Sequence, residues 1–285
     1  MRLAAVRFSE PRVAVVGHVE WVQFARVASV PRAGEVVHAS DPFEEPAGGG
    51  AVAAVQLARL AGAAALFTAL GRDPHGDRSI ARLGELGVSV HAARLPQATR
   101  RAVTFLDDAG ERTITTLGPR LEPHGDASEV GWSALTDLDG VYFTAGDASA
   151  LRAARSASRV LVASPRAGRA LGNGVPLDAL VLSAEDAIER AGAARAERDA
   201  ELVVMTEGAR GGTYRSSAGG GAWQAAAVRE RVDAYGCGDS FAAGLTYGLA
   251  AGMEAAAAIE LAARCGAACL AGRGPYGRQL GGPEP

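Results

Sequence analysis

Short apolar runs alternate with longer segments of helical periodicity along most of the chain. Val13–Val16, Ala64–Leu70, Gly140–Thr144, Val160–Ala163, Ala179–Leu182 and Leu202–Thr206 are each four to eight residues long and end in small or polar residues. They read as buried strands. Between them, Ala51–Ala61, Asp77–Leu86, Ala148–Ser156 and Ala184–Arg195 read as helices. This alternation predicts an α/β fold whose mostly parallel sheet is covered on both faces. Two stretches depart from it. Trp21–His38 holds short β-rich pieces separated by Pro31 and Gly34. Ala102–Thr116 reads as a hairpin: AVTFL, a turn at Asp107–Gly110, then ERTITT. Both fit extra strands that project from the main sheet as a lid. Gly272–Pro285, rich in proline and glycine, reads as a surface loop and a chain end.

At 285 residues, 48% hydrophobic and 21% charged, the chain suits one globular domain spanning 1–285, with the lid formed by about 18–45 and 95–118. The net charge is -3 and no basic block occurs, which argues against nucleic acid as a partner. All 29 Lys+Arg residues are arginine. The absence of lysine excludes a Walker-A phosphate loop and Schiff-base chemistry. Three cysteines do not make a disulfide framework, and the five histidines are too scattered for a zinc motif. Arg2, Arg7, Glu10 and Arg12 interrupt any signal-peptide core. The longest apolar region, Phe241–Gly272, carries Glu254, Glu260 and Arg264 and is broken by Gly252, which argues against a membrane span. A cytoplasmic location is therefore expected.

The strand ends add Gly17-His18, Gly146-Asp147, Ser164, Ser183 and Thr206-Glu207-Gly208. In an open α/β sheet, ligands bind beyond the carboxyl ends of the strands, so these residues fit one crevice. The most informative segment is Val232–Phe241, VDAYGCGDSF. Two glycines allow a tight turn with exposed N–H groups, and a helix follows from Ser240 to about Ala250. The start of that helix would attract an anion. Asp239 would stand beside it, able to take a proton from an attacking hydroxyl. A plain helix N-cap is the competing reading of Asp239.

With its flanks, the segment resembles the C-terminal signature of the ribokinase-like (phosphofructokinase-B) carbohydrate kinases: DAYGCGDSFAAG keeps Asp233, Gly236, Gly238, Asp239, Phe241 and Gly244, with Ala234 and Cys237 for the usual Thr and Ala. PAGGGAVAAVQLARLAG, LGRDPHGD, DDAGERTI and VVMTEGARGG resemble further family segments in the same order. The resemblance implies a three-layer α/β/α sandwich with a small β lid. It also implies ATP-dependent phosphorylation of a sugar hydroxyl with Mg2+, and a monovalent cation such as K+. It implies Asp239 as the base and the amides of Gly236, Cys237 and Gly238 as an anion hole. Ser183, Thr206, Gly208 and Gly211 would line the nucleotide site. Gly48, Gly49 and Gly50 would face the sugar, with Glu20 and Asp147 as carboxylate candidates at the crevice, and Asp186 and Asp233 would serve cations.

The sequence departs from the family at the sugar-contacting positions. Val52 or Ala53 stands where the family has Asn, and Val22 where it has an acidic ligand, so Glu20 is the nearest carboxylate; His18 is a further candidate. Ser183-Ala184-Glu185-Asp186 occupies the Asn-x-x-Glu position and reads equally as a helix start. The expected substrate is thus a sugar recognised differently from ribose. A nucleoside kinase of the same fold and a non-catalytic sugar- or nucleotide-binding homologue are the alternatives. Exposed lid strands suggest a homodimer paired through the lid.

Overall fold

In the computed structural model, residues 10–282 are described. Residues 1–9 and 283–285, which include Arg2, Arg7 and the end of the proline- and glycine-rich tail, lie outside the described residues. In chain order the elements are β1 (Val13–Val16), β2 (Glu20–Arg26), β3 (Ser40–Ala47), α1 (Gly49–Ala61), β4 (Ala64–Gly71), α2 (Pro74–Glu85), β5 (Val88–Leu95), β6 (Arg101–Leu106), β7 (Arg112–Leu117), β8 (Leu138–Phe143), α3 (Ala148–Ala157), β9 (Ser158–Ala163), β10 (Leu177–Ser183), α4 (Ala187–Ala196), β11 (Ala200–Thr206), β12 (Gly212–Ser216), β13 (Gly219–Trp223), α5 (Cys237–Ala250) and α6 (Ala255–Leu270).

Nine strands form the main sheet in the order β13-β12-β11-β10-β9-β8-β1-β4-β5. All its pairings from β11 to β5 are parallel, and β12 and β13 add an antiparallel edge. Side chains of β1 alternate between the two faces. Val13 and Val15 join the core under α1, α5 and α6, whereas Ala14 and Val16 join the core under α3 and α4. That alternation makes the molecule three layers, with apolar runs buried on both sides as a parallel sheet requires.

The chain leaves β1 toward β4 and β5 on one side and later adds β8 to β11 on the other. The order of winding therefore reverses at β1, and the crevice beyond its carboxyl end is where such sheets place ligands. Thr144 N donates to Val16 O there, and Gly17 N to Phe67 O.

A second, four-stranded sheet, β3-β2-β6-β7, packs against α1 and α2, with β2 starting three residues after Gly17. Its β2 and β6 run parallel, and β3 and β7 are antiparallel edges. Asp73 anchors its base. The carboxylate accepts from Gly76 N at 2.8 Å and from Thr99 N at 2.6 Å, so the LGRDPHGD segment ties α2 to the start of β6.

The hairpin forms with its turn at residues 107–110, where Asp107 O accepts from Gly110 N. Other elements differ from the periodicity reading. The second strand after β1 is not within Trp21–His38 but at Ser40–Ala47; its two prolines and three carboxylates conceal it, and an edge position tolerates them. The Gly-Gly-Gly-Ala-Trp strand β13 has no apolar alternation to mark it and forms by antiparallel pairing with β12. The fourth helix starts at Ala187, not Ala184, because Asp186 caps it.

Helix α1 begins so close to β1 that its first turn has no room for a side chain. A Cβ on Gly50 would fall 2.7 Å from both Gly17 C and His18 O. These are backbone atoms of the β1 end and cannot rotate away. Gly50→Ala is expected to lose about 3 kcal/mol of stability through overpacking. Denaturant unfolding checks it, and an unchanged midpoint would contradict the close approach.

Candidate active site

Asp239 lies in the first turn of α5, and its side chain reaches back to the β1 end of the crevice. A Cβ on Gly49 would fall 2.9 Å from Asp239 Oδ1, 3.3 Å from Thr144 Oγ1 and 3.5 Å from His18 Cε1. Four elements thus meet at one point: the ends of β1 and β8 and the starts of α1 and α5. Asp239 does not cap α5. The N-cap residue is Gly236, with φ 81 and no side-chain capping bond. The N–H groups of Cys237, Gly238 and Asp239 therefore occupy the first turn, where helical geometry supplies no acceptor. Among the described residues, no atom outside the turn lies within 4 Å of a Cβ placed on Gly238, so that side of the turn is open.

The turn is held from behind. Asp233 is fully buried, and its two oxygens accept from Tyr235 N at 2.8 Å and Gly274 N at 2.9 Å. Tyr235 OH accepts from Gly48 N at 3.2 Å, linking the turn to the glycine run. Cys269 Sγ adds a bond to Tyr235 O.

Burial raises the pKa of Asp239; Arg166 opposes the rise, Glu189 adds to it and Arg112 opposes it. Arg166 and Glu189 do not stand out in the sequence. Arg166 follows the β9 end and bonds Glu189 Oε1 at 2.5 Å and Asp186 Oδ2 at 2.8 Å. Glu189 Oε2 accepts from Ser183 N at 2.7 Å. A cation directly after Ser164-Pro165 at a strand end was the available signal.

On the acceptor side, Glu20 is buried at the start of β2 with Oε2 3.3 Å from Arg100 Nε. Burial pushes its pKa up, Arg100 pulls it down and Asp239 pushes it up again. A Cβ on Gly48 would fall 3.0 Å from His18 Nε2 and 3.3 Å from Glu20 Cγ, so Gly48, His18 and Glu20 form one wall. Asp147 is committed elsewhere. Its carboxylate caps α3 through Ala150 N at 2.8 Å and accepts from Gly125 N at 3.1 Å. Asp186 likewise caps α4, through Ile188 N at 2.9 Å and Glu189 N at 3.1 Å.

Thr206 ends β11 and Gly208 and Gly211 sit beyond it, and Ser183 pairs with Thr206 across the β10–β11 ladder. Glu207 N donates to Gly211 O at 2.7 Å and closes the loop. Gly211 abuts the chain at Gln224 and Ala225. Beside it runs a groove of about 420 Å³ between Trp223–Ala226 and one face of α6, including Glu260 and Arg264. The α6 wall has no signature of its own in an alanine-rich sequence.

The profile of the pfkB family carbohydrate kinases matches residues 10–168 and 174–278. The chain is 30% identical over 276 residues to an ATP-dependent ribose-1-phosphate kinase of Halopiger xanaduensis, covering 90% of each chain. Among solved structures it is similar to a ribokinase of Thermotoga maritima, with TM-score 0.75, 19% identity and 95% and 96% of the two chains covered. It is also similar to a ribokinase of Arabidopsis thaliana in complex with ribose and ATP, with TM-score 0.73, 19% identity and 94% and 96% covered.

Proposed function

Since the chain belongs to the pfkB family of carbohydrate kinases and is a phosphotransferase acting on a sugar hydroxyl, we propose that it phosphorylates a sugar phosphate with ATP, using Asp239 as the base. One observation carries the reading: the Asp239 carboxylate reaches the point where β1, β8 and α1 meet, from a first helical turn that lacks intrahelical acceptors for its amides and is open beside Gly238.

The acceptor hydroxyl oxygen bonds to the γ-phosphorus while the bond from that phosphorus to the β–γ bridging oxygen breaks. ADP leaves with the electron pair, and the hydroxyl proton passes to Asp239. The amides of Cys237, Gly238 and Asp239, with the positive end of α5, stabilise charge on the moving group. The groove beside Gly211 suits the nucleoside part of ATP. Thr206, Gly208 and the loop closed by Glu207 and Gly211 would hold it.

A phosphorylated acceptor is supported by the ribose-1-phosphate kinase relative and by arginines on both roots of the small sheet. Arg100 precedes β6 and pairs with Glu20, Arg120 follows β7 and pairs with Glu122, and the charge of both reaches His18 in the crevice. Guanidinium groups match phosphate oxygens in pairs.

The carboxylates near the phosphate end do not form a cage for a resident Mg2+. Asp186 and Glu189 spend their oxygens on backbone amides and Arg166, and Glu185 is exposed beside Arg210. Both Asp233 oxygens are likewise engaged by backbone amides, which does not favour a monovalent cation there. Exposed Ile114 and Leu117 on the edge strand β7 support pairing of two copies through the small sheet.

Incubation with ATP and ribose, ribose 1-phosphate, ribose 5-phosphate or adenosine, followed by ADP release and phosphorus NMR, tests the reading. The expected result is kcat/KM for ribose 1-phosphate at least about tenfold above ribose, a difference of some 1.4 kcal/mol. Preference for adenosine would favour a nucleoside kinase instead. No turnover at all would leave a non-catalytic binding protein.

A further inference from the structure

Beside Asp239, the crevice encloses polar atoms that the protein does not use. His18 is 8% exposed, and its Nδ1 is buried without a hydrogen-bond partner among the described residues. Thr144 Oγ1 is in the same condition. Thr144 Oγ1, His18 Cε1 and Asp239 Oδ1 lie within 3.5 Å of the position a Cβ on Gly49 would take, and Cε1 is the ring carbon bonded to Nδ1. Buried polar groups are bonded in the great majority of cases, and leaving one unpaired is costly. Two side chains beside the base, each with a buried unpartnered atom, indicate that another molecule supplies the partners.

We infer that His18 is a specificity-determining residue of the acceptor pocket, hydrogen-bonding a sugar hydroxyl next to the one that Asp239 activates. The inference rests on the kinase reading and names what that site selects. The charge state of the ring decides which group it takes. Burial, then the cations Arg120, Arg100 and Arg166, hold its pKa down at about 3, so the imidazole is neutral. A neutral imidazole offers one N–H and one lone pair, which complements a hydroxyl, itself donor and acceptor. An imidazolium would instead favour phosphate. A neutral His18 thus reads the hydroxyl pattern and not the phosphate. The other groups facing the ring are Glu20, Asp239, Thr144 and the Gly48–Gly49 backbone. A site built for a hydroxyl penalises an analogue lacking it, because its own buried groups are then left unpaired.

The test compares wild type, His18→Leu and His18→Asn with ribose 1-phosphate and its 2-deoxy and 3-deoxy analogues. His18→Leu is expected to raise KM for ribose 1-phosphate at least about tenfold while KM for ATP stays within about twofold. One deoxy analogue shows the same loss on wild type and no further loss on His18→Leu. His18→Asn, which keeps an amide near Nδ1, recovers part of the affinity. An unchanged acceptor KM in His18→Leu, an equal rise in both KM values, or losses that simply add would overturn the assignment. If His18→Leu does not fold, the analogues on wild type and His18→Asn decide, and no tenfold loss with either analogue is fatal to it. Calorimetric titration of ribose 1-phosphate without ATP separates the two readings. A wild type that binds the sugar but does not phosphorylate it sinks the kinase reading and leaves His18 testable by affinity. A wild type that phosphorylates it with no dependence on His18 sinks only the His18 assignment. Neither binding nor turnover sinks both.

Discussion

Asp239→Asn is expected to lower kcat by at least about 100-fold, the lower end of what a positioned base contributes. The amide keeps the shape of the carboxylate beside Gly49 and Thr144 but cannot accept the proton. The fold is expected to survive for an electrostatic reason. Burial and Glu189 raise the pKa of Asp239 above the ordinary carboxylate range, against Arg166 and Arg112. A carboxyl with a raised folded-state pKa contributes stability below its unfolded pKa and loses it as pH rises through the folded value. At neutral pH the ionised group is therefore a burden that asparagine removes. The melting midpoint of the variant should equal or exceed that of wild type. The same shift sets the activity profile: wild-type kcat falls as pH drops through the raised pKa, and Asp239→Asn lacks that limb. Steady-state rates from acid to neutral pH, with thermal melts, check both. Wild-type kcat in Asp239→Asn would remove the base assignment.

Gly236→Ala should lose activity on a similar scale by a different route. Gly236 has φ 81, a left-handed conformation that costs a side-chain-bearing residue about 1–2 kcal/mol. Its Cβ would also fall 2.8 Å from Val52 Cγ1, in the fully buried face of α1. The turn must shift, and with it the amides of Cys237 and Gly238. Removing one well-placed donor from an oxyanion site costs about 10²–10³ in kcat, so a kcat loss of about 100-fold is expected. The melting midpoint should fall by a few degrees. Gly238→Ala is the control for stability: its Cβ meets none of the described atoms within 4 Å, so its melting midpoint should not fall. A Gly236→Ala protein with normal kcat would show that the turn does not cradle the phosphate.

Much of this arrangement was legible in the chain. The apolar runs of the inner strands and the DAYGCGDSF segment survive as local patterns, because a buried strand and a glycine turn before a helix depend on residues close in sequence. Ser40–Ala47 was not legible, since its prolines and carboxylates violate strand preference and only pairing with β2 makes it a strand. Glu189 and Arg166 were missed because each looks like a surface residue in its own segment; Glu189 becomes buried and pairs with the half-exposed Arg166 only where the β9 and β10 ends lie side by side. Asp147 at a strand end and Asp186 at the Asn-x-x-Glu position were legible as candidates, but that one oxygen of each accepts from the amides of a helix start, and that Arg166 holds the other oxygen of Asp186, only the fold reveals.

By itself, the sequence determined the layered α/β class and the glycine turn before α5, because periodicity and turn chemistry act over a few residues, and it put Asp239 forward as the base. Only the tertiary structure decided what surrounds that residue. The neutral His18, the Arg100–Glu20 pair and the Arg166–Glu189 pair are charge states and contacts between segments far apart in the chain, and both depend on burial that no single segment specifies.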